Sequence, residues 1–244
     1  MPVWSTNAQF INLTENAVSS LGDCELILID NGSTYGAGQL REWASLYIRN
    51  QENLGYAKAV NQGLKLCEPN ELVAIANNDI RVSPNWQIVA KEIFNTETDN
   101  FHVVEEGTWG MAVEPDEVGS VHFRMIPYDQ PFNSGNDTWV GGKERWCTSS
   151  FFVVRNVQLY DENFFNTYED WDFWKRMRKN YKQAYTNKVE YQHMDSFTQQ
   201  FVPEREVNDK KNREYFKEKH GGYPEDLFEK EFPGELAKAW RPFP

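Results

Sequence analysis

Apolar residues recur at helical spacing over 8–21 (AQFINLTENAVSSL), which predicts an amphipathic helix. A short apolar run at 25–29 (ELILI) stops at Asp30-Asn31-Gly32-Ser33, as a strand running into a turn does. Residues 46–49 (LYIR) predict a second short strand and 56–67 (YAKAVNQGLKLC) a helix. Residues 71–76 (ELVAIA) form a fully apolar strand ended by Asn77-Asn78-Asp79, and a helix follows over 84–94 with Pro84 at its first position. Alternating strand and helix predicts a mostly parallel sheet with helices on both faces. Ligands bind beyond the carboxyl ends of such strands, so the turns 30–33 and 77–79 should share one edge.

The second half is less regular. Residues 99–145 are rich in Gly, Asp and Pro, with a strand expected at 109–113 (WGMAV). Residues 149–155 (SSFFVVR) and 185–191 predict strands. Residues 168–181 predict a helix with Trp171, Trp174, Met177 and Tyr181 on one face, and Thr167 with Asp170 resembles a capping box. A charged helix at 203–219 breaks at Gly221-Gly222, and the last residues are expected as a tail packed on the surface. The reading is one catalytic domain over 1–200 with a helical extension over 201–244.

Aromatics make up 15% of the 244 residues, with 9 Trp and 16 Phe, enough for a large core and for stacking on sugar faces. The formal charge of −12 argues against a nucleic-acid or anionic-membrane surface. It also means that an anionic ligand such as a diphosphate needs a local change of sign, which a divalent cation supplies. Cys24, Cys67 and Cys147 have neither disulfide-framework nor zinc spacing, which suits a reduced, cytoplasmic protein. Met-Pro-Val-Trp does not resemble a secretory leader, and no run of about 18 apolar residues spans a membrane.

Several short motifs carry candidate chemistry, each with a plainer explanation beside it. Asp30 at a strand end can accept hydrogen bonds from a base or ribose, although Asp-Asn-Gly makes a tight turn unaided. Asn53-Leu54-Gly55-Tyr56-Ala57-Lys58-Ala59-Val60-Asn61-Gln62-Gly63 places small residues where a loop enters a helix, so a ligand, or simply the sheet, can approach the backbone. Asp79 can hold a hard cation through oxygen, or close an Asx turn. Glu169 and Asp170 open a helix, where acids are stabilised by the macrodipole, and either can serve as a general base. His193 follows a strand; a lone His is usually structural, but imidazole suits Mn²⁺-type ions.

In this order the motifs resemble the family 2 glycosyltransferases of the GT-A fold, and in particular their rhamnosyltransferase-like branch, over roughly residues 2–198. Residues 161–170 (DENFFNTYED) are the most specific part, and 212–216 (NREYF) are similar to a segment near the end of related chains. The resemblance implies an α/β, GT-A nucleotide-diphospho-sugar transferase fold with a Rossmann-like sheet. It implies a nucleotide site of Pro2, Val3, Trp4, Asp30, Gly32, Asn53, Gly55, Lys58, Asn61 and Asn78. It implies Asp79 and His193 as ligands of Mn²⁺ or Mg²⁺, with Asn77 where many members carry the first acid of D-x-D. Asp170 would be the base and Glu169 its neighbour in orienting acceptor or base. The implied reaction inverts the anomeric centre, taking a sugar from a UDP- or dTDP-linked donor to a glycan hydroxyl.

The family's first strand of apolar residues before P-V-Y/W is cut almost to nothing here. A catalytically weak or inactive sugar- or nucleotide-binding protein of the same fold is therefore the main alternative. A nucleotidyltransferase would need a basic Gly-rich loop, a dinucleotide fold more than Gly36-Ala37-Gly38, and a serine hydrolase G-x-S-x-G; none is present. Residues 105–145, with Trp109, Trp139 and Gly141-Gly142, and Trp146 just beyond, are expected to shape the acceptor side or to pack.

Overall fold

A computed structural model describes residues 1–96, 118–140, 150–155, 158–194, 201 and 205–231. The expected strand at 109–113, together with Trp109, Gly141-Gly142, Trp146 and Cys147, lies outside the described residues.

The first half follows the hydrophobic pattern closely. Strand β1 (Pro2–Val3) leads into helix α1 (Ala8–Leu21), then β2 (Ile27–Asn31), α2 (Ala37–Trp43), β3 (Leu46–Asn50), α3 (Tyr56–Leu64), β4 (Val73–Ala76), β5 (Ile80–Val82) and α4 (Trp86–Asn95). Helix α1 starts where Asn7 Oδ1 accepts the Gln9 and Phe10 amides, and it ends at Gly22 with φ 70°. Its buried face, Phe10, Ile11, Leu13, Ala17 and Leu21, is the stripe that the spacing predicts. Strands β1, β2 and β3 pair in parallel in that order.

The remaining elements are β6 (Val118–Ile126), β7 (Thr138–Val140), β8 (Phe151–Val154), α5 (Glu169–Met177), β9 (Lys182–His193), α6 (Arg205–His220) and α7 (Pro224–Glu231). They build a mixed sheet in the order β4-β8-β6-β9-β5, with β7 on β9. Here β6 and β9 run parallel, whereas β4–β8, β6–β8, β5–β9 and β7–β9 are antiparallel. The α/β class and the parallel first sheet are as expected, but parallel pairing does not extend through the whole structure. The reason is visible in β9, whose twelve residues are long enough to serve three neighbours at once.

Two local expectations are corrected. Pro84 is not the first residue of its helix: Asn85, at φ 70°, separates it from Trp86. The capping box at Thr167 does not form. The residue before α5 is Tyr168, in the left-handed region at φ 67°, and it offers no side-chain cap. Asp170 Oδ1 instead accepts the Trp171 amide at 2.8 Å.

The core falls into three clusters. The largest joins both sheets to α1 and α4 through Val3, Leu28, Ala76, Ile80, Phe151 and Tyr191. A second packs α3 and β8 against α5 through Val60, Phe152, Trp174 and Met177. A third holds α6 and α7 on the segment before α5 through Phe164, Phe216 and Phe228. The expected aromatic face of α5 therefore divides: Trp174 and Met177 enter the second cluster, while Trp171 packs against the third.

Candidate active site

The antiparallel register Ile80↔His193 brings the N-N-D turn beside the end of β9. His193 Nε2 lies 3.2 Å from Asp79 Oδ1, and its Nδ1 is 3.1 Å from Ser150 Oγ. Met194 N–H donates to the Asp79 carbonyl at 3.0 Å. Asp79 is almost fully buried. Asn78 turns inward, and its amide donates to Thr14 Oγ1 at 3.0 Å, so it fixes the turn to α1. Asn77 is tied by its backbone amide to Ser150 O, while its buried Oδ1 has no partner among the described residues.

The acidic pair opens α5, which packs on α3. Burial pushes both carboxyls above the ordinary range, and Glu169 is raised further by the charge of Asp170. The buried Glu169 Oε2 has no hydrogen-bond partner among the described residues. Tyr56, the first residue of α3, keeps its phenolic proton well above the usual pH: burial is the largest cause, followed by the charges of Glu169, Asp170 and Asp79. One tyrosine thus feels the charge of three carboxylates, two on α5 and one in the N-N-D turn. Its ring meets Tyr160 edge-on at 5.9 Å, and Tyr160 stacks on Phe173 of α5 at 4.2 Å.

The turn at 30–33 is tied to the loop that enters α3. Asn31 Nδ2 donates to Asn53 Oδ1 at 2.9 Å and to the Gly55 carbonyl, and Asn31 Oδ1 accepts from Leu54 N–H and Asn50. Asn53 Oδ1 also accepts the Gly55 amide. Gly32, at φ 81°, lets the chain pass so close to residue 52 that a Cβ would sit 2.5 Å from the Glu52 carbonyl carbon. Pro2 and Val3 pair with Ile29 and Asp30, with Trp4 half-buried just beyond.

Asp30 is fully buried and already engaged by protein donors. Oδ1 accepts the Ser33 amide at 2.8 Å; Oδ2 accepts Tyr47 Oη at 2.5 Å and Arg49 Nη1 at 2.7 Å. Asn61 likewise spends its side chain within the protein, cross-linking α3 to the D-E-N-F-F stretch through Tyr160 and Glu162. Lys58 stands exposed on the outer side of α3. Tyr47, Arg49 and Ser150 touch the candidate residues Asp30 and His193, and Tyr56 lies in the field of Asp79, Glu169 and Asp170, although no motif singles these four out. Tyr56 lay inside the quoted N-x-G-Y-A-x-A-x-N motif, whereas Ser150 has no sequence signal.

The residues at the N-N-D turn fit a divalent ion. Asp79 supplies a hard oxygen and His193 a nitrogen whose ring is oriented by Ser150, the outer-shell arrangement that metal-bound imidazoles use. Among the described residues no group of three His, Cys, Asp or Glu side chains gathers to cage an ion. Two protein ligands suit an ion that completes its shell with water and substrate phosphates.

A parallel sheet joined to a mixed sheet, with helices packed on both, is the arrangement of the GT-A glycosyltransferase fold. Within it, residues 4–105 match the family described as Glycosyl transferase family 2. Solved structures agree on the fold. The structure of S. aureus TarS 1-349 is 15% identical with TM-score 0.56, over 80% of this chain and 60% of that one. TarS of S. aureus is 13% identical with TM-score 0.54, over 97% and 50%. GalNAc-T7 with UDP, GalNAc and Mn²⁺ is 11% identical with TM-score 0.50, over 88% and 52%. The chain spans 50–60% of the length of these three proteins. No curated protein matches it in sequence. Among the described residues no helix is long and apolar enough to cross a membrane.

Proposed function

We propose that the chain is an inverting glycosyltransferase that moves a sugar from a nucleotide diphosphate to a glycan hydroxyl. The observation that carries this reading is the His193–Asp79 contact at the N-N-D turn, together with the charges of Asp79, Glu169 and Asp170 that all act on Tyr56. A cleft with this much negative charge receives a pyrophosphate only with a cation present. Asp79 and His193 would hold Mn²⁺ or Mg²⁺, which when bound neutralises charge on the leaving diphosphate. GalNAc-T7, solved with UDP, GalNAc and Mn²⁺, is a precedent for such a pairing in this fold.

The chain's own residues divide the remaining work. Asp170, raised by burial, takes the acceptor proton, since a carboxylate lifted toward neutrality is a better base than an ordinary one. Glu169, buried beside it with one oxygen unpaired, orients the acceptor or Asp170. Asp30 holds Tyr47 and Arg49 at the end of the first sheet, so the nucleoside would meet that group together with Pro2, Val3 and Trp4. Gly32, Asn53, Gly55 and Asn78 would shape the loops around it, Asn61 braces α3, and the exposed Lys58 stays outside the group.

The N-N-D triplet and the DENFFNTYED stretch favour the rhamnosyltransferase-like branch, so UDP- and dTDP-hexoses head the list of donors. The reading is tested by thermal stabilisation with UDP and dTDP, with and without Mn²⁺. Stabilisation that requires the metal supports it. Stabilisation by free sugar alone, indifferent to metal and nucleotide, replaces it with a carbohydrate-binding role.

A further inference from the structure

Helix α6 lies outside the segment that matches the family, yet one of its side chains reaches the loop that carries the acidic pair. Asn212 is 2% exposed. Its Nδ2 donates to Phe165 O at 3.0 Å, Thr167 O at 3.0 Å and Thr167 Oγ1 at 2.9 Å, and its Oδ1 accepts the Phe165 amide at 3.4 Å. The loop that it grips is strained. Asn166 at φ 61° and Tyr168 at φ 67° both occupy the left-handed region, on either side of Thr167. Asparagine tolerates that region, but a tyrosine is disfavoured there, so the surroundings must hold Tyr168 in it. Glu169 and Asp170 follow immediately.

The same loop is anchored on its other side by Asn166 Oδ1, which accepts the Tyr56 amide at 2.8 Å. Asn212 thus stands at one end of a chain of contacts that runs through Thr167 and Asn166 to Tyr56 in the cleft. Helix α6 is itself fixed to α5: Lys219 Nζ and His220 Nε2 meet Asp172 Oδ1 at 2.6 and 2.9 Å, and Phe216 is buried against Phe164.

We infer that Asn212 is a positioning residue for the Glu169–Asp170 pair, which makes α6 part of the working site. The inference rests on the base role proposed for Asp170. Without the amide, two loop carbonyls and Thr167 Oγ1 lose their donor, and the left-handed turn into α5 loses what selects it.

The test compares Asn212→Ala and Asn212→Asp with the parent protein, in donor turnover and in UDP affinity with Mn²⁺, well below each variant's melting temperature. A displaced base lowers kcat by about tenfold or more, while donor KM and UDP affinity stay within about twofold. An unchanged kcat in a folded variant overturns the inference, as does a parallel loss of kcat and UDP affinity. If neither variant folds, Thr167→Val removes only the Oγ1 contact; a lower kcat at constant UDP affinity supports the inference, and an unchanged kcat overturns it. Asp170→Asn separates the two levels. Retained turnover there removes the base reading itself, whereas an inactive Asp170→Asn beside a fully active Asn212→Ala removes only the role of Asn212.

Discussion

His193 Nε2 sits 3.2 Å from Asp79 Oδ1, and the strand register that pairs Ile80 with His193 puts it there. The contact joins the N-N-D turn to the far end of β9, the two places where the proposed cation site draws its ligands. Replacement of either side chain should weaken UDP binding in the presence of Mn²⁺ by about 10–100-fold and leave metal-free binding unchanged. Calorimetric titration of Asp79→Ala and His193→Ala, each with metal and with a chelator, reads both arms.

Asp170→Asn should separate chemistry from binding. Turnover is expected to fall by about 10²–10⁴-fold with UDP affinity retained. The same substitution carries a stability signature. Burial raises the Asp170 carboxyl in the folded state, so its contribution favours folding at low pH and is lost as pH rises through the raised value. The amide avoids that cost. Asp170→Asn should therefore melt higher than the parent at alkaline pH, and the gap should close as pH falls. In the parent protein, the acid limb of the proposed activity's pH–rate profile should lie above the ordinary carboxylate range, because the base must be ionised to act.

Asp161 has the opposite sign. Burial opposes its charge, but hydrogen bonds from Lys219, the Asn163 amide and Tyr215 outweigh it and hold the carboxyl at about 2, below the ordinary 3.8. Its stabilisation is present above the ordinary value and is lost as pH falls toward 2. Because Lys219 is partly solvated, Asp161→Asn should cost only about 1 kcal/mol at neutral pH. Melting temperatures of variant and parent should converge in acid.

Gly55 tests the loop geometry. It has φ 86°, and a Cβ would lie 2.8 Å from Phe165 Cδ2. Gly55→Ala should destabilise the protein by about 1–3 kcal/mol, read from the denaturant midpoint at constant slope.

The sequence pattern predicts most of the first half, since α1, β2, β3, α3 and β4 have their own amphipathic stripe or apolar run bounded by turn residues. Partnership across the second half is another matter. Nothing local to Lys182–His193 says that it pairs with β5, β6 and β7 together, and that pairing makes the second sheet mixed. At the site, motif order points to Asp79, Asp170 and His193; the structure sets His193 3.2 Å from Asp79, and the charges of Asp79 and Asp170 both act on Tyr56. The motifs did not show that Asp30 and Asn61 spend their side chains within the protein. Nor did they show the part played by Asn212, whose hydrogen bonds reach residues 45–47 positions away and leave no trace in local spacing.

The most direct measurement is release of nucleoside diphosphate from a panel of UDP- and dTDP-sugars, with Mn²⁺ or chelator, by the parent protein and by Asp79→Ala. The account predicts metal-dependent release from at least one donor by the parent protein and none above background by Asp79→Ala. Release that persists in chelator, or that Asp79→Ala retains in full, would contradict it.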